Sequence, residues 1–132
     1  MAETRIISEK YAEIANELIN TENELEYIKE SDVLIGFLSS DRAKTDRGRT
    51  VFADCEKVPN KWRWSVPFNF VITVYEPNAE SLNDEQIKIL LFHELLHIGI
   101  EKDGNEEVYT SVPHDIEDFK LIINRYGIDW QL

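Results

Sequence analysis

The three histidines of this chain, which has no others, are its clearest candidates for a chemical role. His93 and His97 stand four positions apart with Glu94 between them, in the pattern His-Glu-x-x-His, and His114 follows downstream. Residues four apart on an α-helix lie on one face, one turn from each other. Two imidazoles so placed can hold one Zn²⁺, and the carboxylate between them can take a proton from water that the ion activates. A single helix histidine is ordinarily a packing or surface residue, but this combination favours a zinc site.

The sequence around the motif predicts the helix that the zinc site requires. Asn83, followed three positions later by Gln86, is typical of a capping box that opens a helix. Gly99 is a candidate for the residue that ends it. Between these limits, apolar residues recur at about the 3.6-residue period of a helix with one buried face; they are Ile87, Leu90, Leu91, Leu95 and Ile98.

A third protein ligand is expected, because catalytic zinc sites have three protein ligands and one open position. His114, seventeen positions after His97, is the first choice, since imidazole suits zinc and Pro113 restricts the chain just before it. Glu117 is the rival, twenty positions after His97, the spacing of the ligating glutamate in thermolysin-like peptidases. The metzincin pattern fails, because it requires glycine where this chain has Ile100.

Glu94 is the predicted general base and then general acid for hydrolysis of a bond between a carbonyl and a nitrogen. Tyr109, Arg125 and Tyr126 are the candidate donors for the developing oxyanion, although an ordinary packing or surface role is the simpler interpretation of each. Ligating histidines also need a partner on their other ring nitrogen. The acidic candidates for that role can instead reflect the dipole of a helix start; they are Asp115, Glu117 and Asp118.

Length and composition predict one domain that spans residues 1–132. The hydrophobic content of 42% is enough for a packed core, so the metal is not obligatory for folding. Cys55 is the one cysteine, which excludes an internal disulfide, and without a spare histidine to activate it we expect a structural thiol. Charges throughout the first thirty residues leave no secretory or membrane-spanning segment. A cytoplasmic location is the expectation.

The net charge of −12 argues against nonspecific nucleic-acid binding by the whole chain. Residues 42–63 are the exception, with seven basic residues against three acidic ones, so that this segment is +4 and the remainder −16. Trp62 and Trp64 alternate with basic residues there, a composition that could stack bases or bind an anionic partner. A solvated loop and a strand with one aromatic face is the simpler interpretation. The basic residues are Arg42, Lys44, Arg47, Arg49, Lys57, Lys61 and Arg63.

The order of predicted elements indicates an α+β domain, with helices on one side of a small sheet. Helices are predicted for residues 8–20, 22–29 and 114–126, the last ended by Gly127, and strands for residues 33–39, 50–57 and 68–75, with a possible bulge at Gly36. Residues 41–49 and 100–112 are predicted loops. The strand over residues 68–75 precedes the motif helix, and we expect it at the edge of the cleft, where it could pair with an extended peptide.

Three stretches resemble the family named putative phage metallopeptidase. They are residues 90–98 around the motif, Val-Pro-His-Asp-Ile-Glu-Asp-Phe over residues 112–119, and Arg-Tyr-Gly-Ile-Asp-Trp over residues 125–130; residues 51–58 and 70–77 are similar as well. The resemblance covers residues 11–130. It implies a compact zincin-like fold related to the SprT-like peptidases, with zinc at His93, His97 and His114 and Glu94 as the acid/base.

Three functions remain open at this point. The leading one is a zinc peptidase that acts on peptides or proteins. The second is a zinc hydrolase of other amides, since 132 residues leave little room for a deep peptide cleft. The third is a non-catalytic binding module in which a closed zinc site stabilises the fold. A variant in which residues 42–63 bring a protease to DNA is disfavoured, because the rest of the chain is strongly acidic. The sequence does not indicate the oligomeric state.

Overall fold

The computed structural model describes residues 2–113, which form an α+β fold, as the order of elements predicts. The last predicted helix, residues 114–126, lies outside the described residues. Two short 3₁₀ turns, Asn23–Leu25 and Asn60–Trp62, accompany the regular elements. In chain order these are β1 (Arg5–Ile7), α1 (Glu9–Thr21), α2 (Glu26–Lys29), β2 (Ile35–Ser40), β3 (Lys44–Asp46), β4 (Arg49–Val51), β5 (Ala53–Lys57), β6 (Phe70–Tyr75), α3 (Glu76–Ala79), α4 (Asp84–Leu95), β7 (Ile98–Asp103) and β8 (Glu106–Ser111).

The main sheet has four strands in the order β1-β2-β6-β5. β2 and β6 run parallel, and the other two pairings are antiparallel. The prediction that the strand before the motif helix lies at the cleft edge is therefore wrong, because β6 is paired on both sides. Its nearly continuous apolar sequence is typical of an interior strand. The edge strand on this side of the sheet is β5.

The two faces of β6 have different surroundings. Phe70, Ile72 and Val74 are fully buried and belong to the same apolar core as the buried faces of α1 and α4. Side chains alternate along a strand, so Thr73 and Tyr75 point to the opposite face. Because α1 contacts β2, α4 contacts β5, and the two helices contact each other, α1 and α4 lie on one side of the sheet.

A β3–β4 hairpin contacts the opposite face through Lys44, where the sequence predicts a loop over residues 41–49 and a single strand over 50–57. The hairpin turns through Arg47 (φ 52°) and Gly48 (φ 78°), the two positive φ angles that a type I′ turn requires. The Lys44 ammonium lies 2.6 Å from the Asp54 carboxylate, which also accepts a 2.7 Å bond from the Tyr75 hydroxyl. These side-chain contacts hold the hairpin on the sheet, and they are tertiary features that local composition does not reveal.

Local signals account well for the helix starts. Ser8 caps α1 by accepting a hydrogen bond from the Tyr11 backbone N–H, and Asn83 and Gln86 form the predicted capping box of α4 in both directions. Gly36 lies in a regular part of β2, not in a bulge; a side chain there would overlap the ring of Phe68. Within residues 2–113, no helix is long and apolar enough to cross a membrane.

Candidate metal centre

The motif helix ends inside the motif. α4 runs from Asp84 to Leu95 and is buried over most of its length, which leaves His93 9% and Glu94 3% exposed. His97 follows in a tight turn, in which its backbone N–H bonds to the Glu94 carbonyl at 3.1 Å, three residues back. The sequence prediction that the helix continues to Gly99 is therefore wrong, because pairing of β7 with β8 begins at Ile98.

Gly99 has a packing role in place of the predicted role in ending the helix. It lies in β7 opposite Thr110, and a Cβ atom there would overlap the Thr110 hydroxyl and lie 2.9 Å from Cγ2 of Val112. The absence of a side chain at Gly99 therefore lets the end of β8 approach the start of β7 closely. The predicted loop over residues 100–112 is this β7–β8 hairpin.

His93, Glu94 and His97 converge despite the early end of the helix. One ligand atom from each lies within 4.8 Å of the other two. The two imidazole centroids are 5.2 Å apart with their planes at 68°, and Nε2 of His93 is 3.7 Å from Oε2 of Glu94. The tight turn after α4 keeps the second imidazole beside the first, as continued helix would.

The imidazole of His97 is oriented by the backbone of Val112. Nδ1 of His97 lies 2.7 Å from the Val112 carbonyl oxygen, and the Val112 N–H donates to the His97 carbonyl, also at 2.7 Å. A carbonyl oxygen only accepts, so Nδ1 carries the proton and Nε2 carries the lone pair of the neutral ring. This is the tautomer in which Nε2 can ligate a metal, with the second nitrogen held as metal-ligating histidines require.

The sequence reasoning missed Val112, because a backbone carbonyl has no residue-type signature. The acidic partners that it predicted, Asp115, Glu117 and Asp118, lie outside the described residues, as do His114, Arg125 and Tyr126. Of the predicted site, His93, Glu94 and His97 are described and lie together, whereas the predicted third ligand, His114, follows the last described residue, Pro113.

Tyr109, the predicted oxyanion donor within the described part of the chain, has another partner. Its hydroxyl donates a 2.6 Å hydrogen bond to the Glu107 carboxylate, and its ring packs edge-on against Phe70 at 6.1 Å. Burial and the adjacent carboxylate raise the pKa of Tyr109 to about 12. These contacts indicate a role in seating the β7–β8 hairpin on the main sheet.

β5, the strand that contacts α4, lies at an edge of the main sheet within the described residues. The Tyr75 N–H donates to the Phe52 carbonyl and the Val58 N–H to the Asn69 carbonyl, both at 2.9 Å. In an antiparallel pair, hydrogen bonding alternates along each strand, so residues 52, 54, 56 and 58 direct their peptide groups toward β6. The peptide groups of Ala53, Cys55 and Lys57 then point outward, and among residues 2–113 no strand pairs with that edge.

Cys55 lies in the middle of β5, the strand that contacts α4. Burial raises the pKa of its thiol, and the nearby charge of Glu94 raises it further. The thiol is therefore protonated at neutral pH, which agrees with the structural role expected from the sequence. Its side chain packs against the core on the α4 side of the sheet.

The described donors suit a metal ion such as zinc. Two imidazole nitrogens and a carboxylate oxygen, grouped on one side of a buried helix end, are the ligand types that zinc and related first-row metals accept. The tautomer of His97, with the proton on Nδ1, leaves Nε2 as the nitrogen that can bind such an ion.

Comparison with known proteins gives one match. Residues 4–132 match the family described as "Putative phage metallopeptidase". No curated protein and no solved structure matches the chain. Since the match covers nearly the whole sequence and includes the His-Glu-x-x-His cluster, the chain belongs to the phage metallopeptidase family.

Proposed function

We propose that the protein is a zinc-dependent peptidase in which His93, His97 and His114 hold the ion and Glu94 is the general base and acid. The observation that carries this proposal is the convergence of His93, Glu94 and His97, together with the hydrogen bond that leaves Nε2 as the ligating nitrogen of a neutral His97.

The hydrogen bonds between Val112 and His97 support His114 as the third ligand. Val112 is hydrogen-bonded to His97 through both its N–H and its carbonyl, and His114 is two residues further along the chain. Consecutive Cα atoms are 3.8 Å apart, so the Cα atoms of Val112 and His114 can be separated by at most about 7.6 Å. Chain length alone would therefore allow His114 to reach the cluster. Glu117 is five residues from Val112 and is constrained much less.

The position of Glu94 beside His93 supports its proposed role as general base. When bound, zinc would supply Lewis acidity that makes water a better nucleophile and the scissile carbonyl a better electrophile at neutral pH. The Glu94 carboxylate, 3% exposed and beside His93, would accept the proton of the attacking water and deliver it to the leaving nitrogen. The Val112 carbonyl would keep the His97 ring in the ligating orientation through both steps.

The outer edge of β5 gives the proposed substrate site. An extended polypeptide that pairs with the outward peptide groups of Ala53, Cys55 and Lys57 would form a fifth strand. Because β5 contacts α4, the helix that carries Glu94, the pairing would bring the backbone of the substrate to the side of the sheet on which the general base lies. Pairing through backbone groups favours a peptide over a small amide, because small amides offer too few of them.

The test compares Glu94→Gln with wild type on a mixture of unfolded proteins, with products identified by mass spectrometry. Glu85→Gln, an exposed change in the first turn of the same helix, is the matched control. We expect Glu94→Gln to retain zinc and to lose about 10²- to 10⁴-fold in turnover, the typical contribution of a general base, while the control stays at the wild-type rate. Turnover that survives in Glu94→Gln would refute the mechanism, and cleavage of small amides alone would refute the peptidase assignment.

A further inference from the structure

Two tryptophans are exposed on the turn that joins β5 to β6. Trp64 is 81% and Trp62 49% exposed, and the Lys61 ammonium lies 5.6 Å from the Trp62 ring centroid. The turn is ordered by backbone hydrogen bonds, among them Trp62 N–H to Pro59 and Val66 N–H to Trp62, both 2.9 Å. Large aromatic side chains that are exposed to solvent on an ordered turn are typical of binding surfaces, where tryptophan is enriched.

The same turn is locally basic in an acidic protein. Lys57, Lys61 and Arg63 fall between residues 57 and 69, and no acidic residue does. Outside residues 42–63 the chain carries a net charge of −16, so the positive charge of this turn stands against a negative remainder. A partner that binds this turn would carry a small number of negative charges close together. A larger or more extended negative charge would be repelled by the acidic surface around the turn.

Lys57 connects the turn to the proposed cleavage site. Along β5, Ala53, Cys55 and Lys57 stand opposite Val74, Ile72 and Phe70, so their side chains share the sheet face on which α4 packs. β5 contacts α4, the helix that carries Glu94, and Lys57 is two residues further along the strand than Cys55, about 7 Å at the usual rise of a strand. The Lys57 side chain is exposed on this face, and Lys61 and Trp62 follow it.

We propose that Lys57 and Lys61, with the rings of Trp62 and Trp64, form a subsite that binds an acidic and an apolar side chain of a polypeptide substrate on one side of the cleaved bond. This inference rests on the proposed peptidase function and adds the substrate class to it. An extended segment paired with β5 would present its next two to four residues to this turn, at about 3.3 Å each. The partner is a polypeptide because the turn follows a strand edge with which no other strand pairs among residues 2–113, and because the net charge of −16 outside residues 42–63 repels the continuous charge of a nucleic acid.

The first experiment measures cleavage of a randomised peptide library by the zinc-loaded wild-type protein. We expect Asp and Glu to be enriched on one side of the bond only, two to four positions away, and the enrichment to shrink in roughly 1 M salt, where the screening length is about 3 Å. The double variant Lys57→Glu/Lys61→Glu should lose about two- to fivefold in kcat/KM per removed contact on an acidic peptide, as exposed ion pairs do, and should gain on the same peptide with Lys in the acidic positions. Lys10→Glu, an exposed charge reversal on α1, is the control, and it should change kcat/KM neither on the acidic peptide nor on the peptide with Lys in the acidic positions.

A binding measurement separates failure of this inference from failure of the proposed function. Zinc-loaded Glu94→Gln is titrated with the acidic peptide, its neutral analogue and a single-stranded oligonucleotide, followed by tryptophan fluorescence. Salt-sensitive binding of the acidic peptide with no cleavage by wild type would support the subsite and refute the peptidase. Cleavage without acidic enrichment, tighter binding of the oligonucleotide, or binding equal to that of the neutral analogue would each overturn the subsite.

Discussion

Gly99→Ala is the change that best tests how the β7–β8 hairpin positions the metal centre. The new Cβ would overlap the Thr110 hydroxyl, lie 2.9 Å from Cγ2 of Val112, and lie 3.1 Å from the Thr110 carbonyl oxygen. Rotation of the two side chains can relieve only part of this crowding, so the end of β8 should shift away from β7. Overpacking of this kind typically costs about 1–3 kcal/mol.

The same shift should weaken zinc binding. The bond from Nδ1 of His97 to the Val112 carbonyl is 2.7 Å long, and N–H···O bonds extend to about 3.2 Å, so a displacement beyond about 0.5 Å breaks it. Loss of a hydrogen bond that orients a ligating histidine usually lowers metal affinity about 10- to 100-fold. We therefore expect Gly99→Ala to lower both the free energy of unfolding of the metal-free protein and its affinity for zinc.

Gly36→Ala is the matched control. Its Cβ would lie 2.7 Å from the Phe68 ring, so it should also destabilise the fold, but Gly36 is in β2, which carries no residue of the metal cluster. The assays are thermal unfolding in the presence of a chelator, at about 4 °C in Tm per kcal/mol for a domain of this size, and competition titration with zinc. If both variants are destabilised and neither loses zinc affinity, the His97–Val112 contact does not determine the site.

The other predictions concern single side chains. His114→Ala should lower zinc affinity in a competition titration by far more than Glu117→Gln does; the reverse order would make Glu117 the ligand. Tyr109→Phe should cost about 1–2 kcal/mol in chemical denaturation, from the lost hydrogen bond to a carboxylate, with kcat unchanged, whereas loss of an oxyanion donor would lower kcat about 10²- to 10³-fold. The hydrogen bond to Asp54 raises the pKa of Lys44, so its stabilising contribution is complete below the ordinary value of 10.5 and is lost as pH rises through the higher folded value. Unfolding followed against pH should show a larger loss in wild type than in Lys44→Met, because the raised pKa values of Tyr75 and Tyr109 add a loss over the same alkaline range in both proteins.

The sequence by itself determined the features that depend on neighbours within one turn of chain. The Asn83–Gln86 capping box is a contact three residues long, and His93, Glu94 and His97 lie one turn apart, so spacing predicts their convergence directly. The match to a metallopeptidase family agrees with that motif. The α+β class also followed, since the order of apolar segments along the chain is a local property.

The tertiary structure alone decided which strand lies beside the site and what orients its second histidine. β6 became interior because β2 and β5 both pair with it, and the contact of Val112 with His97 spans fifteen residues through a hairpin that sequence reasoning took for a loop. Pairing and register between distant segments depend on which partners bury their apolar faces together, and a single segment does not encode that choice. A backbone carbonyl is the same at every position, so only the folded chain shows which one reaches His97.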